Sequence, residues 1–305
     1  MTFKLPNDAN IISERIFENA KKLVALKYWD GIRDDQLLNW LQNFDTEQEK
    51  YIAAIILYRL IYRNQQTINT FGAQLFQITI PDYLEVKGAY RVNDLDEWQT
   101  ELNRPDSRSR LPFRFSTIES VDDKPAKSGA SIYRALKGEF FEQTLGVGAN
   151  ALFKLKDNQK INTLIFFDDI LGTGQQFIDF VEKYKLDDLG KNILYCPFAA
   201  FEKGLANVRK KFPKIDLRPV EVLTEENSVF CTDNKLLSIE SGSISEECKE
   251  FYLKMCKEKG FKLPANEWLG RGELSLSYLF NDSTPNNNIS AIWYSDNNWK
   301  RLAKR

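Results

Sequence analysis

The sequence predicts an α/β fold: a mainly parallel sheet with a helical N-terminal cap and a C-terminal extension. Three observations lead there. From about residue 111 to 223, short apolar runs alternate with helical stretches of about 10–12 residues, the pattern of parallel βαβ units. The first ninety or so residues carry helical spacing instead. And Ile161 to Phe167 is a short apolar run fit for a strand buried on both faces.

Taken in order, Leu37, Trp40, Leu41 and Phe44 fall on one helical face. Asp45-Thr46-Glu47-Gln48 resembles a capping box and should open a helix running to about Arg63. Its stretch Ile52 to Leu57 is apolar all round, so this helix is expected to be central and buried. Ile68, Phe71 and Leu75 extend the pattern, and residues 1–93 are read as a helical cap or packing layer. The polar, arginine-rich stretch Asp94 to Arg110 is a connection, and residues 94–305 are read as the α/β domain.

Within that domain we expect strands at Leu111 to Val121, Ile161 to Phe167, Asn192 to Ala200 and Ile215 to Leu223. Helices are expected from Ser131 to about Phe141, after Gly174 through Tyr184, and from Phe201 to Phe212. The tail should hold a helix, Ile244 to Lys259, and then a hood at about 270–305. There Glu273 to Phe280 and Ile289 to Tyr294 are expected to form a strand pair.

Composition narrows the chemistry. The 305 residues carry 42 basic and 43 acidic side chains, a near-neutral balance that makes no global case for nucleic acid. There is no histidine, which excludes Ser-His-Asp and Cys-His catalysis, an imidazole base and His-ligated zinc. Chemistry must run on carboxylates, hydroxyls, amides, Lys/Arg or a bound ion. Cys196, Cys231, Cys248 and Cys256 form no C-x-x-C pair, so a structural zinc site is not expected. Cys248 and Cys256 would lie about 12 Å apart along one helix, too far for a disulfide. Free thiols in a reducing, cytoplasmic setting are expected. The longest apolar run, Tyr51 to Tyr58, is far short of the ~20 residues of a membrane span, so no membrane partner is expected.

Two basic clusters stand out. Between Arg104 and Lys137 there is an excess of four positive charges, and the chain closes on Trp299-Lys300-Arg301-Leu302-Ala303-Lys304-Arg305. A solvated face is the favoured reading of both, over a nucleic-acid surface.

The most informative segment is Thr163 to Phe177, TLIFFDDILGTGQQF. An apolar strand meets two carboxylates, Asp168 and Asp169, and a glycine-bracketed loop leads into a helix. In a parallel sheet this places the acids at the carboxyl edge, where α/β folds bind ligands. Gly172 and Gly174 allow positive φ and let backbone N–H groups converge on an anion. The helix N-terminus favours a phosphate there, and the Thr173 hydroxyl can donate one more bond. The acids would accept from sugar hydroxyls or hold a cation that does. This is a phosphate pocket beside a diol pocket, as a ribose 5-phosphate needs. A tight structural turn with solvated acids is the competing reading. No G-x-x-x-x-G-K-[ST] exists to partner a Walker B strand, and a dinucleotide fingerprint would need a third glycine.

Phe166-Phe167-Asp168-Asp169-Ile170-Leu171-Gly172-Thr173-Gly174 resembles the signature of type I phosphoribosyltransferases for 5-phosphoribosyl pyrophosphate (PRPP). The resemblance implies the type I phosphoribosyltransferase fold, a ribose-binding, catalytic acid pair at Asp168 and Asp169, and a 5-phosphate loop of Gly172, Thr173, Gly174, Gln175 and Gln176. It also implies Mg²⁺, held through Asp168 and Asp169 or by the ligand. Where many members carry hydroxyl residues this chain has Gly172 and Gln176. A loop at the place of Lys127, Ser128 and Gly129 contacts pyrophosphate in that family; a plain N-cap by Ser128 or Ser131 is the equal alternative. More loosely, the helical front and the closing Ser283-Thr284-Pro285-Asn286-Asn287-Asn288…Trp293…Trp299-Lys300 look like a divergent phosphoribosyltransferase-like clade of bacterial conflict systems, some of whose members accompany retron reverse transcriptases.

The expected function is therefore transfer of phosphoribosyl from PRPP to a nitrogen acceptor, as an effector in antiphage defence. The alternative is a non-catalytic module that senses PRPP or a nucleotide, or that binds nucleic acid, a reverse transcriptase or another partner of a defence complex. For Tyr195-Cys196-Pro197-Phe198-Ala199, Trp293 and Trp299, core packing is favoured over contact with a base. Asn286, Asn287 and Asn288 fit either a turn or a ligand contact.

Overall fold

The computed structural model describes residues 3–118, 128–239 and 242–305. In chain order, helices α1 (Ala9–Ala25), α2 (Asp34–Leu41) and α3 (Glu47–Tyr58) lead to a short strand, β1 (Ile61–Arg63). Thr46 and Glu49 close a capping box over α3: the Thr46 hydroxyl accepts from the Glu49 amide at 3.2 Å and the Glu49 carboxylate from the Thr46 amide at 3.3 Å. The box thus sits one residue later than the spacing from Asp45 suggested. As expected, Ile52 to Leu57 is buried on every face. The helix stops at Tyr58, short of Arg63, because the next residues extend into β1.

Helices α4 (Gln65–Gln74) and α5 (Ile80–Val86) are joined by a π-helical stretch, Leu75–Thr79. Pro81, near the start of α5, has no N–H, and its ring crowds the carbonyl four residues back, which lies in that loosened stretch. Helices α6 (Leu95–Asn103) and α7 (Ser107–Arg110) precede β2 (Phe113–Thr117). Then come α8 (Ser128–Leu136), β3 (Thr163–Leu171), α9 (Gln175–Tyr184), β4 (Asn192–Phe201), α10 (Glu202–Lys211), β5 (Asp216–Leu217) and β6 (Glu221–Leu223). The closing elements are the short antiparallel pair β7 (Ser238–Ile239) and β8 (Gly242–Ser243), then α11 (Ser245–Glu258), β9 (Tyr278–Phe280) and α12 (Ser290–Trp293).

The contacts divide the chain into two compact units, residues 66–223 and residues 1–65 together with 224–305. The grouping differs from a composition boundary at residue 93, because residues 66–93 pack with the sheet unit. In that unit β2, β3, β4 and β5 lie side by side in that order, all parallel, and β6 also pairs with β4. The expected parallel α/β fold is thus observed. One buried cluster joins Leu164, Phe166 and Tyr195 to Phe177, Phe180 and Val208 of α9 and α10. An aromatic group, Phe76, Phe113, Phe115, Phe140, Phe141 and Phe167, packs through ring contacts of 4.5–6.3 Å.

In the other unit β1 pairs in parallel with β9, Ile61 opposite Tyr278 and Arg63 opposite Phe280. This corrects the expected C-terminal strand pair. Tyr278–Phe280 is a strand, but its partner comes from the N-terminal part of the chain. Ser290–Trp293 is a helical turn, for Asn288 is tied down by its own side chain, which bonds Tyr278 and the Pro285 carbonyl. Trp299 is fully buried, its indole donating to the Ala291 carbonyl at 3.1 Å, and Trp293 donates to the Asn288 carbonyl at 3.2 Å. These rings and asparagines are packing and turn residues. All four cysteines are free, and among the described residues no helix is long and apolar enough to cross a membrane.

Replacing Thr46 with Ala removes one half of the α3 box; urea melts should show a loss of about 1 kcal/mol, with the Glu49→Gln variant losing less.

Candidate functional site

Strand β3 is apolar along Leu164 to Phe167 and does not stop there. It continues to Leu171, so both acids lie inside the strand rather than after it. Asp168 pairs with Pro197 of β4, and Ile170 with Ala199. Because the sheet is parallel, this end of β3 shares an edge with the carboxyl ends of its neighbours. Asp168 is 4% and Asp169 3% exposed, which overturns the alternative of solvated acids on a plain turn.

Asp168 is held on both oxygens. One accepts the Tyr195 hydroxyl at 2.8 Å and the other the Asp169 amide at 3.0 Å. Tyr195 is itself fixed by stacking on Phe177 of α9, centroids 4.0 Å apart and nearly coplanar. Burial, and then the neighbouring Asp169 charge, push the Asp168 carboxyl well above the usual carboxylate range; the Tyr195 bond opposes this to a smaller degree. The same burial, with Asp168 beside it, drives the Tyr195 hydroxyl up, so it remains a proton donor. Favouring core packing for Tyr195 missed half of its role. The available signal was a lone hydroxyl in an otherwise apolar run, one strand over from the acids.

The loop is braced from behind by α10. A Cβ on Gly204 would lie 2.0 Å from the Gly172 carbonyl, and one on Gly174 would lie 2.9 Å from the Gly204 carbonyl. Asn207 of α10 donates to the Thr173 carbonyl at 3.1 Å. Gly174 has φ 86° and forms the N-cap of α9, with no side chain capping the helix. The expectation of positive φ at Gly172 is not met: that glycine belongs to the close approach with Gly204, and only Gly174 takes the left-handed turn. The first-turn amides of α9 are thus left to whatever lies before them. Thr173 Oγ1 accepts weakly from the Gln175 amide at 3.4 Å and keeps its proton to donate. The Gln175 side chain bonds Asp179 at 2.6 Å, so its amide group is engaged as well as its backbone N–H. Gln176 is half-buried.

Ser128 and Gly129 fall on the first turn of α8, which packs on β3; Lys127 lies outside the described residues. Ser131 is inside the helix, where its hydroxyl accepts from Arg134, and so it is not the cap. The described arginines between 104 and 134 bond locally, although the buried Arg114 Nε has no partner. Arg104 pairs with Asp106 and Arg110 with Glu101, Arg108 donates to the Thr144 and Gly146 carbonyls, and buried Arg114 donates to backbone carbonyls. The described arginines of that cluster are tied into the fold, Arg114 as a buried residue rather than part of a solvated face, while Lys124 and Lys127 lie outside the described residues.

The PRTase-CE family model matches residues 37–305, most of the chain and all of the junction. The chain belongs to the PRTase-CE family. No curated protein matches it. Membership makes this a phosphoribosyltransferase-like protein, and the PRTase-CE junction has a buried acid pair and an uncapped helix N-terminus at one edge of a parallel sheet.

An acid whose folded-state titration lies above its unfolded one binds more protons when folded. Stability is therefore lost as pH rises from about 3.9 through the raised folded value. Asp168→Asn removes that loss and keeps an acceptor for Tyr195. Thermal and urea melts should find the variant more stable than wild type by about 0.5–2 kcal/mol at pH 8, with the gap shrinking toward pH 4. Gly204→Ala should instead destabilise by roughly 1–3 kcal/mol, because its methyl meets backbone and not a movable side chain.

Proposed function

We propose that the Asp168–Gln176 junction binds PRPP with Mg²⁺ and transfers its phosphoribosyl group to a nitrogen acceptor. The carrying observation is the buried acid pair beside a glycine-capped helix with open first-turn amides. The amides of the Gly172–Gln176 loop and the Thr173 hydroxyl would take the 5-phosphate. Asp168, oriented by Tyr195, and Asp169 would accept from the ribose hydroxyls. Burying two neighbouring carboxyl groups makes sense where a ligand engages them.

Among the described residues no three carboxylates or thiols gather into a metal cage. This fits Mg²⁺, which is bound by one or two carboxylates together with substrate phosphates and water. Bound there by Asp168 or Asp169 and the ligand, it would neutralise the departing pyrophosphate. In the transfer the bond from ribose C1 to the pyrophosphate oxygen breaks, its electron pair leaving with pyrophosphate. The acceptor nitrogen gives its lone pair to C1 and releases a proton to solvent. Positioning and charge stabilisation suffice for such a step, and histidine is not required. The looser resemblance to conflict-system proteins supports a role for this activity as an effector in antiphage defence, with a reverse transcriptase or its nucleic acid as partner.

Asp168→Asn with Asp169→Asn should weaken PRPP–Mg²⁺ binding about 10²- to 10⁴-fold in calorimetry with the circular dichroism spectrum unchanged. Unaltered affinity would sink the assignment. Burial and the Asp169 charge raise the Asp168 carboxyl in the free protein and a bound Mg²⁺ would lower it, so wild-type binding should also release protons, seen as a buffer-dependent enthalpy that the double variant lacks. Pyrophosphate production with PRPP and a base marks the enzyme; thermal stabilisation by PRPP without release marks a sensor.

A further inference from the structure

The unit made of residues 1–65 and 224–305 contains a cleft of about 440 Å³, the size of a small-molecule site. It is walled by the loop into α2, by β1, by the loop after β9 and by the closing segment of the chain. Its charged lining is Arg33, Asp35, Asp282, Lys300, Arg301 and Lys304, four cations against two carboxylates. Arg33 is paired with Asp35 at 2.9 Å. Lys300, Arg301 and Lys304 have no ion-pair partner among the described residues.

These three are not a frayed tail. Trp299 and Leu302 between and beside them are fully buried. The backbone around them is bonded at several points. The Lys300 amide donates to the Asn43 side chain at 2.9 Å, and Asn43 donates back to the Lys300 carbonyl at 2.7 Å. Gln36 donates to the Leu302 carbonyl at 2.7 Å, and buried Thr284 to the Lys304 carbonyl at 2.9 Å. A rigid backbone that holds three unpaired cations on one concave wall works against their mutual repulsion, which an anion in the cleft would relieve.

The lining also holds polar groups with nothing to bond. The Ser283 hydroxyl and the Asn281 carbonyl oxygen are buried without a hydrogen-bond partner. Both residues line the cleft, as does Asn39. Buried polar atoms are rarely left so, and each such atom calls for an explanation. A hydroxyl, an amide oxygen and a second amide in a cleft that also carries three unpaired cations suit a ligand with both a phosphate and a hydrogen-bonding ring.

We propose that this cleft is a second ligand site, which binds the phosphate of a nucleotide on Lys300, Arg301 and Lys304 and its base toward Asn281, Ser283 and Asn39. The nucleotide comes either free or as one unit of a single strand; the chemistry recognised is the same. The site shares no residue with the Asp168–Gln176 junction.

The test is binding of ATP, of tripolyphosphate and of a ten-nucleotide single-stranded DNA to the full chain, followed by calorimetry at low and moderate salt. The triple variant Lys300→Gln, Arg301→Gln, Lys304→Gln changes exposed side chains, and a thermal melt confirms its fold. It should bind about 10- to 100-fold more weakly than wild type, and wild-type affinity should fall as salt rises. ATP tighter than the oligonucleotide identifies a free nucleotide; the reverse identifies the strand. Asp168→Asn with Asp169→Asn should leave this binding unchanged, which separates the two sites. The proposal is overturned if the wild type binds none of the three probes, if the triple variant binds as the wild type does, or if the double aspartate variant abolishes binding.

Discussion

The desolvation of Asp168 is the constraint around which the rest of the sheet unit is arranged. A carboxyl group buried beside a second one is costly, and the fold meets part of that cost with the Tyr195 hydroxyl and the Asp169 amide. The Tyr195 ring must then be held, and Phe177 does so from the first turn of α9. The helix whose amides face the candidate phosphate position therefore also carries the ring that steadies the acid. Charge recognition and core packing share the same side chains.

The loop depends on a different economy. Two glycines, Gly172 and Gly204, come from segments more than thirty residues apart and meet backbone to backbone, while Gly174 supplies the left-handed turn. Packing α10 this closely leaves no room for a side chain at Gly204. The loop then has its backbone amides and the Thr173 hydroxyl to offer an anion.

The parallel sheet, the helical front and the acid–glycine junction were legible in the sequence because each rests on local periodicity or on a short motif. The alternation of apolar runs with helices allowed few arrangements, and the apolar stretch before Asp168 announced a doubly buried strand. Its true end at Leu171 was not legible, since two acids inside a buried strand contradict the ordinary burial preference. What overrides it is tertiary: a hydroxyl from the next strand. Likewise Ile289 to Tyr294 reads as a strand by composition, but the side chain of Asn288 fixes the preceding turn and Ser290–Trp293 coils.

Local sequence thus determined the alternation of elements, the acids, the turn glycine and the absence of imidazole chemistry, all properties of residues near one another along the chain. The tertiary structure alone decided that Tyr195 bonds Asp168, that Gly204 backs the loop, that β1 pairs with β9 and that Lys300, Arg301 and Lys304 line a cleft with Asn281 and Ser283. Each of these joins residues far apart in the chain, and no periodicity records such a meeting, because it is set by packing of the whole unit.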